Sequence, residues 1–265
     1  MIIDFHTHCF PDALAPKALG KLSAAAGSTP CTDGTASGNI KKMKVAGIDL
    51  SVVCNIATNP HQQHKVNNFA VALNDRCPEL IALGSLSPDS EDIEEELDYL
   101  YDHDIHGIKI HPEYASYYID SPKWERIFAA CADRNMFIVT HAGYDFISPD
   151  RIAVTPARLA KMLDKFPSLR IVAAHLGGNR LWNEVCETLC GRDNLWLDTA
   201  LIAREGISPE AARMIIDKHG HNRILFGSDM PWSEPNEELN FVRSLGFSEK
   251  SLELILEKNA EELLR

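Results

Sequence analysis

A chain of 265 residues, 45% hydrophobic and 24% charged, has ordinary globular composition and is long enough to bury a full core as one domain spanning 1–265. Its formal net charge of -12 excludes a surface built to hold phosphate backbones, which rests on Lys and Arg, so no nucleic-acid partner is expected. Seven cysteines, an odd number with no Cys-x-x-Cys pair, exclude a secreted disulfide framework and fit reduced thiols.

Ile2 to Phe5 reads as a first strand that runs straight into His6-Thr7-His8. In a strand, residues two apart share a face, so both imidazoles point the same way. No charged leader precedes this strand and no later apolar run approaches a membrane span, so a cytoplasmic protein without a membrane partner is expected. Ser23 to Gly38, rich in Ala, Gly, Ser and Thr, reads as a long loop of the kind that serves as a lid or binding loop. Gly47 is placed to end a helix before the second strand, Ser51 to Asn55, and the third is Leu80 to Gly84. Asp89 to His103 reads as an acidic helix, with Ile93, Leu97 and Leu100 facing a core and Glu94 to Glu96 facing solvent.

The second half alternates more plainly. Strands are expected at Gly107 to Ile110, Phe137 to Thr140, Ile171 to Ala174, Leu195 to Leu197 and Ile224 to Phe226. Ser121-Pro122, Thr155-Pro156 and Ser208-Pro209 each set a capping hydroxyl before a proline suited to the first helical position, while Gly191 and Gly220 follow periodic stretches. Asn236 to Arg265 carries helical patterning, with Asn259 and Glu262 spaced as a capping box.

Eight strands alternating with helices match an α/β fold of the (β/α)8 TIM-barrel type, with a doubly wound open sheet as the alternative. Both place chemistry at the carboxyl ends of strands. Reactive side chains stand at five of those ends: His6 and His8, Lys109 and His111, His141, His175, and Asp229. A second His-x-His pair, His219-Gly220-His221, precedes a strand and so falls at the amino end, where no partner is aimed at it. His61, His64, His103 and His106 read as solvated or structural.

These ends carry Asp4-Phe5-His6-Thr7-His8, Gly107-Ile-Lys-Ile-His-Pro112, Val139-Thr-His-Ala-Gly143, Ala173-Ala-His-Leu-Gly-Gly178 and Phe226-Gly-Ser-Asp-Met-Pro-Trp232. Taken jointly, over nearly the whole chain, they resemble the amidohydrolase superfamily. Within it they resemble the amidohydrolase-related group that includes aminocarboxymuconate-semialdehyde decarboxylase. The resemblance implies that His6, His8, His141 and Asp229 ligate one divalent cation, zinc being the expected metal, with His175 as acid, base or oxyanion partner and Asp229 as proton acceptor. It also implies a second arrangement, in which a carbamylated Lys109 bridges two metals and His175 binds the second.

On that footing the expected activity is metal-dependent hydrolysis of a small-molecule ester, lactone or amide by a metal-activated water. The alternative is a carboxy-lyase, removing carbon dioxide from an aromatic or muconate-like acid without oxidation. Lys109, His111, Arg151 and Trp232 are the expected substrate contacts, with Arg204 as a second cation able to clamp a carboxylate. Tyr114, Tyr117 and Tyr118 could add an aromatic wall. A metal-dependent deoxyribonuclease is disfavoured, because the acidic strand such enzymes carry is replaced by Gly107-Ile-Lys-Ile-His-Pro. A small-molecule substrate and a homo-oligomer complete the expectation.

Overall fold

The computed structural model describes residues 1–265. Short, largely buried runs form a ring of parallel strands: β1 (Ile3–Thr7), β2 (Leu50–Val53), β3 (Leu80–Ala82), β4 (Gly84–Ser85), β5 (Gly107–Ile110), β6 (Phe137–Thr140), β7 (Ile171–Ala173), β8 (Leu195–Asp198) and β9 (Ile224–Leu225). Continuous apolar strands are what a parallel sheet covered on both faces demands. The ladders run β1-β2-β3 and β4-β5-β6-β7-β8-β9. The expected third strand is thus broken at Leu83, whose N–H still donates to Val53 O at 2.9 Å and carries the ring across the break. Closure between the last strand and the first comes from Phe5 N–H to Phe226 O at 2.7 Å and Asp229 N–H to His6 O at 2.8 Å, with a parallel bridge between Thr7 and Met230. The fold is the TIM barrel.

Inside the ring, Phe5, Val52, Leu83, Phe137, Val139, Val172 and Leu225 form one apolar cluster that also takes in Ala260 and Leu263 from the last helix. A larger cluster lies between strands and helices. One irregularity positions the chemistry. β1 pairs Asp4 with Ser51 and Thr7 with Val53, so Phe5 and His6 together oppose Val52 alone. Such a bulge re-aims a side chain: Phe5 can fill the interior and His6 can follow it into the pocket above.

The crossover helices are α1 (Ala15–Ala26), α2 (Ala36–Ala46), α3 (Pro60–Arg76), α4 (Ile93–Tyr101), α5 (Pro122–Asp133), α6 (Pro156–Lys165), α7 (Trp182–Thr188), α8 (Pro209–His219), α9 (Pro235–Ser244), α10 (Glu249–Glu253) and α11 (Asn259–Leu264). Ser121, Thr155 and Ser208 accept from backbone amides at the starts of α5, α6 and α8, each cap contributing about 1 kcal/mol. Gly47 adopts the left-handed conformation at the end of α2, whereas Gly220, with φ 103 and ψ 125, leaves α8 by a different turn.

Three sequence expectations are corrected. The Ser23–Gly38 loop is shorter, because its alanines favour helix and α1 continues to Ala26 while α2 begins at Ala36. Asn259 is no capping-box residue: a π turn over Leu254–Lys258 leads directly into α11, and the Asn259 amide donates to His221 O and Ile224 O, both at 2.7 Å. Glu96 does not face solvent; it is buried and accepts from His64 Nδ1 and Asn67 Nδ2, each at 2.6 Å. His64, itself exposed, is therefore held by a buried carboxylate. His219 is buried at the amino end of the barrel, donating from Nε2 to Leu195 O at 3.0 Å and accepting at Nδ1 from Gly191 N–H at 3.3 Å. No helix is long and apolar enough to cross a membrane.

Candidate metal centre

The strand ends converge on one buried pocket. His6 is 1% exposed, within β1, and its Nδ1 donates to Asp198 Oδ2 at 2.8 Å. His8 follows the strand and donates from Nδ1 to Cys54 O at 2.8 Å. Each imidazole, pinned through Nδ1, keeps its Nε2 lone pair for the pocket. Both lone pairs face Asp229 Oδ1, at 3.6 Å from His6 Nε2 and 3.0 Å from His8 Nε2. Two imidazole nitrogens converging with a carboxylate at this spacing suit a divalent transition metal. His6, His8 and Asp229 thus fit a metal ion.

The scaffold beneath this group is specific. Asp198, at the carboxyl end of β8, also accepts from the backbone amides of His175 at 2.9 Å and Ala200 at 3.0 Å. Orientation of a ligating histidine by a carboxylate is a recurrent feature of metal sites. Burial, and then the nearby Lys109 ammonium, lower the pKa of His6 to about 4, which keeps it neutral. Asp4 accepts from the amide and hydroxyl of Ser228, at 2.9 and 2.5 Å, and so ties the loop that carries Asp229 to the first strand. Asp229 and His175 both hold left-handed backbone, φ 67 and φ 59. Non-glycine residues in that region are uncommon and concentrate at functional sites.

Lys109 Nζ lies 3.1 Å from His6 Nε2 and forms no ion pair with any carboxylate, although it is 1% exposed. His175 donates from Nδ1 to Ala200 O at 2.9 Å, which leaves Nε2 to accept from His141 Nδ1 at 3.1 Å. His141 falls outside the His6–His8–Asp229 group and inside a second one with His111 and Asp145. The two groups meet through His175, whose ring stacks on His6 with centroids 5.5 Å apart. His111 lies between Tyr114, 3.7 Å away and nearly parallel, and His141 at 4.3 Å.

Gly143, two residues past His141, has φ +85, and a Cβ there would stand 2.1 Å from the Asn179 backbone nitrogen. The loops after β6 and β7 meet at that point through Tyr144 N–H to Asn179 O at 3.0 Å and Asn179 N–H to Ala142 O at 2.9 Å.

The remaining expected contacts lie elsewhere. Arg151 stacks on the Tyr118 ring at 4.9 Å and bonds to none of the histidines. Arg204 is exposed and, with Trp232, lines a 530 Å³ cavity that includes no histidine. Of the three tyrosines only Tyr114 joins the pocket; Tyr117 donates to Asp89 at 2.9 Å. Asp198, Glu113 and Asp145 went unrecognised as site residues. Asp198 was signalled by its place after Leu195-Trp-Leu197, at one of the three strand ends that seemed to lack a reactive side chain.

Comparison with known proteins agrees with this architecture. An uncharacterised TIM-barrel protein from Bordetella bronchiseptica superposes with a TM-score of 0.74 at 18% identity, over 99% of this chain and 98% of that one. 5-Carboxyvanillate decarboxylase from Novosphingobium aromaticivorans, complexed with manganese and 4-hydroxy-3-methoxy-5-nitrobenzoic acid, gives 0.73 at 15% identity over 100% and 96%. 2,6-Dihydroxybenzoate decarboxylase from Rhizobium gives 0.73 at 14% over 99% and 98%. These likenesses establish the fold. No curated protein matches the sequence. Residues 3–265 match the sequence model of the family described as Amidohydrolase (Amidohydro_2), and the chain therefore belongs to that family.

Proposed function

We propose that the protein is a metal-dependent carboxy-lyase that removes carbon dioxide from a small hydroxylated aromatic acid without oxidation. One observation carries this reading: the pocket buries the amine of Lys109 with no carboxylate within ion-pair distance of it. An unpaired buried charge costs several kcal/mol, so the site is built for an anion. A substrate carboxylate supplies one, whereas a neutral ester, lactone or amide does not. The two decarboxylases of the same fold lend support, and their substrates are hydroxybenzoates by name. Hydrolysis, the first expectation from sequence, has no observation of its own in the pocket.

His6, His8 and Asp229 would hold the divalent cation, with His141 as the further ligand that the family resemblance implies. When bound, the ion would draw negative charge onto a substrate oxygen. The protein's own groups do the rest. Lys109 binds and orients the carboxylate. Asp229 takes the proton of the neighbouring ring hydroxyl and passes it to the ring carbon that bears the carboxylate. The bond between that carbon and the carboxylate then breaks, its electron pair restores the ring, and carbon dioxide leaves. A solvent proton then returns to the phenolate, while His175, fixed by its bond to Ala200 O, holds His141 Nδ1 through Nε2. Tyr114, stacked on His111, adds aromatic surface to the pocket wall.

The test is a paired screen of manganese- and zinc-loaded protein, with hydroxybenzoates assayed for carbon dioxide and lactones and esters assayed for acid release. Carbon dioxide release that collapses in K109M while metal content is retained supports the proposal. Hydrolysis of neutral substrates that survives K109M overturns it.

A further inference from the structure

Two buried polar atoms beside the pocket lack a finished hydrogen bond and face each other: His111 Nδ1 and Glu113 Oε2, 3.4 Å apart. Such atoms are rare in folded proteins and each calls for an explanation. The chain turns directly after β5, where the amides of Tyr114 and Ala115 both donate to His111 O, at 3.1 and 3.2 Å, and this turn brings Glu113 and Tyr114 back to the His111 ring. Glu113 is 4% exposed, and its other oxygen accepts from Ala153 N–H at 2.9 Å, so the carboxylate is fixed at one end and offers its free oxygen to the imidazole. No other acid pairs with His111. The plane of the ring is already set, since Tyr114 stacks on it at 3.7 Å and His141 at 4.3 Å, tilted by only 10° and 11°. Stacking leaves open which nitrogen carries the proton.

Charge decides that. An ionised carboxylate only accepts, so Glu113 Oε2 favours the ring form with its proton on Nδ1. In the neutral imidazole the other nitrogen is then a bare lone pair. Nε2 bonds to no protein group and is not among the buried unpaired atoms, so it opens towards the pocket. The 3.4 Å contact is long for a finished bond, and contacts of this kind tighten when a substrate fills the site. Asp198 fixes His6 in the same way from β8, at 2.8 Å.

We propose that Glu113 is a positioning residue that holds His111 with its proton on Nδ1, so that Nε2 presents a lone pair to the substrate. A lone pair accepts from a hydroxyl and repels a carboxylate, which assigns different parts of a hydroxylated acid to His111 and to Lys109. That assignment rests on the carboxy-lyase reading, whereas the position of the proton does not. Exchanging Glu113 for glutamine reverses the arrangement: Ala153 N–H keeps the amide oxygen, the NH2 group turns to His111 Nδ1, and the ring proton must move to Nε2.

The experiment is nitrogen-15 NMR of zinc-loaded protein with labelled histidine, comparing wild type, E113Q and E113A at pH 9, where Glu113, raised to about 7 by burial, is ionised. H111Q identifies the signal by deleting it. A protonated Nδ1 and a bare Nε2 are expected in wild type, with the proton on Nε2 in E113Q. E113A, which removes the acceptor altogether, must also lose the preference for Nδ1 and covers a failure of E113Q to fold. In carbon dioxide release from 2,6-dihydroxybenzoate, E113Q is expected to raise KM about 10-fold while kcat stays within about threefold. A wild-type His111 protonated on Nε2, or a proton that stays on Nδ1 in all three proteins, overturns the proposal. A KM unchanged by E113Q although the proton moves overturns the assignment of the hydroxyl to His111. No carbon dioxide from any hydroxybenzoate, with the proton still moving as expected, overturns the carboxy-lyase reading and leaves Glu113 in its positioning role.

Discussion

Replacing Asp198 by Asn tests how the fold prepares His6. Asp198 is wholly an acceptor: Oδ2 takes the Nδ1 proton of His6, and Oδ1 takes the amides of His175 and Ala200. An asparagine has one oxygen for these three donors. If the oxygen stays with the two amides, the new NH2 group faces His6 Nδ1, and His6 must move its proton to Nε2, the nitrogen that faces Asp229. If the oxygen turns to His6 instead, two buried amides face a donor, at about 1–3 kcal/mol each. The first outcome is the cheaper. Loss of a carboxylate that orients a ligating histidine lowers metal affinity roughly 10–100-fold, or about 1.4–2.7 kcal/mol. Competition titration of zinc against a chromophoric chelator measures this directly, and thermal unfolding in chelator measures the metal-free cost. A D198N protein that binds zinc within twofold of wild type would refute the claim that the tautomer of His6 is set from β8.

Three further outcomes follow from groups around the site. His219 has its pKa lowered to about 4 by burial, so its stabilising neutral form is favoured in the folded state and is lost as pH falls from 6.5 towards 4; between pH 7 and pH 5 this removes about 2 kcal/mol. Urea unfolding at the two pH values should show that loss in wild type and a smaller one in H219Q, and equal losses would contradict it. Glu238, buried and raised to about 7 by burial, accepts from the amides of Ala203 and Arg204 and the hydroxyl of Ser233. E238A strands all three donors and should lower stability by about 3–5 kcal/mol in denaturant titration, whereas a loss below 1 kcal/mol would show the loop is not held there. G143A forces a Cβ into the Asn179 backbone at a positive φ, so it should displace the loop after His141, lowering Tm and zinc affinity together; unchanged zinc affinity would detach that loop from the site.

Much of this was legible in the chain because strand ends carry local signals. β5 and β6 lie where their apolar runs, bounded by glycine and histidine, predict them, and His6, His8, His175 and Asp229 are drawn together because a barrel forces its strand ends into one pocket. What escaped depends on long-range pairing or irregular backbone. The bulge that turns His6 inward exists only through the register of β1 against β2, which no local pattern encodes. Asp198 looks like any aspartate at the end of a strand until His6, 192 residues away, is found donating to it. Glu113 and Asp145 come from loops after β5 and β6, where no periodicity says which way a side chain turns. Arg151 and Arg204, chosen as the conspicuous cations, lie on the periphery because long charged side chains keep to solvent unless paired. The cation buried at the pocket is instead Lys109, inside β5.

The central claim is that carbon dioxide leaves a hydroxylated aromatic acid in this pocket. The most direct measurement is carbon-13 NMR of carboxyl-labelled 2,6-dihydroxybenzoate and related hydroxybenzoates incubated in deuterium oxide with metal-loaded protein. The expected result is transfer of the label to carbon dioxide and bicarbonate, with one deuterium on the ring carbon that held it, abolished in D229N and K109M. Retention of the carboxyl label across the series, by protein that hydrolyses a lactone or ester under the same conditions, would contradict the account.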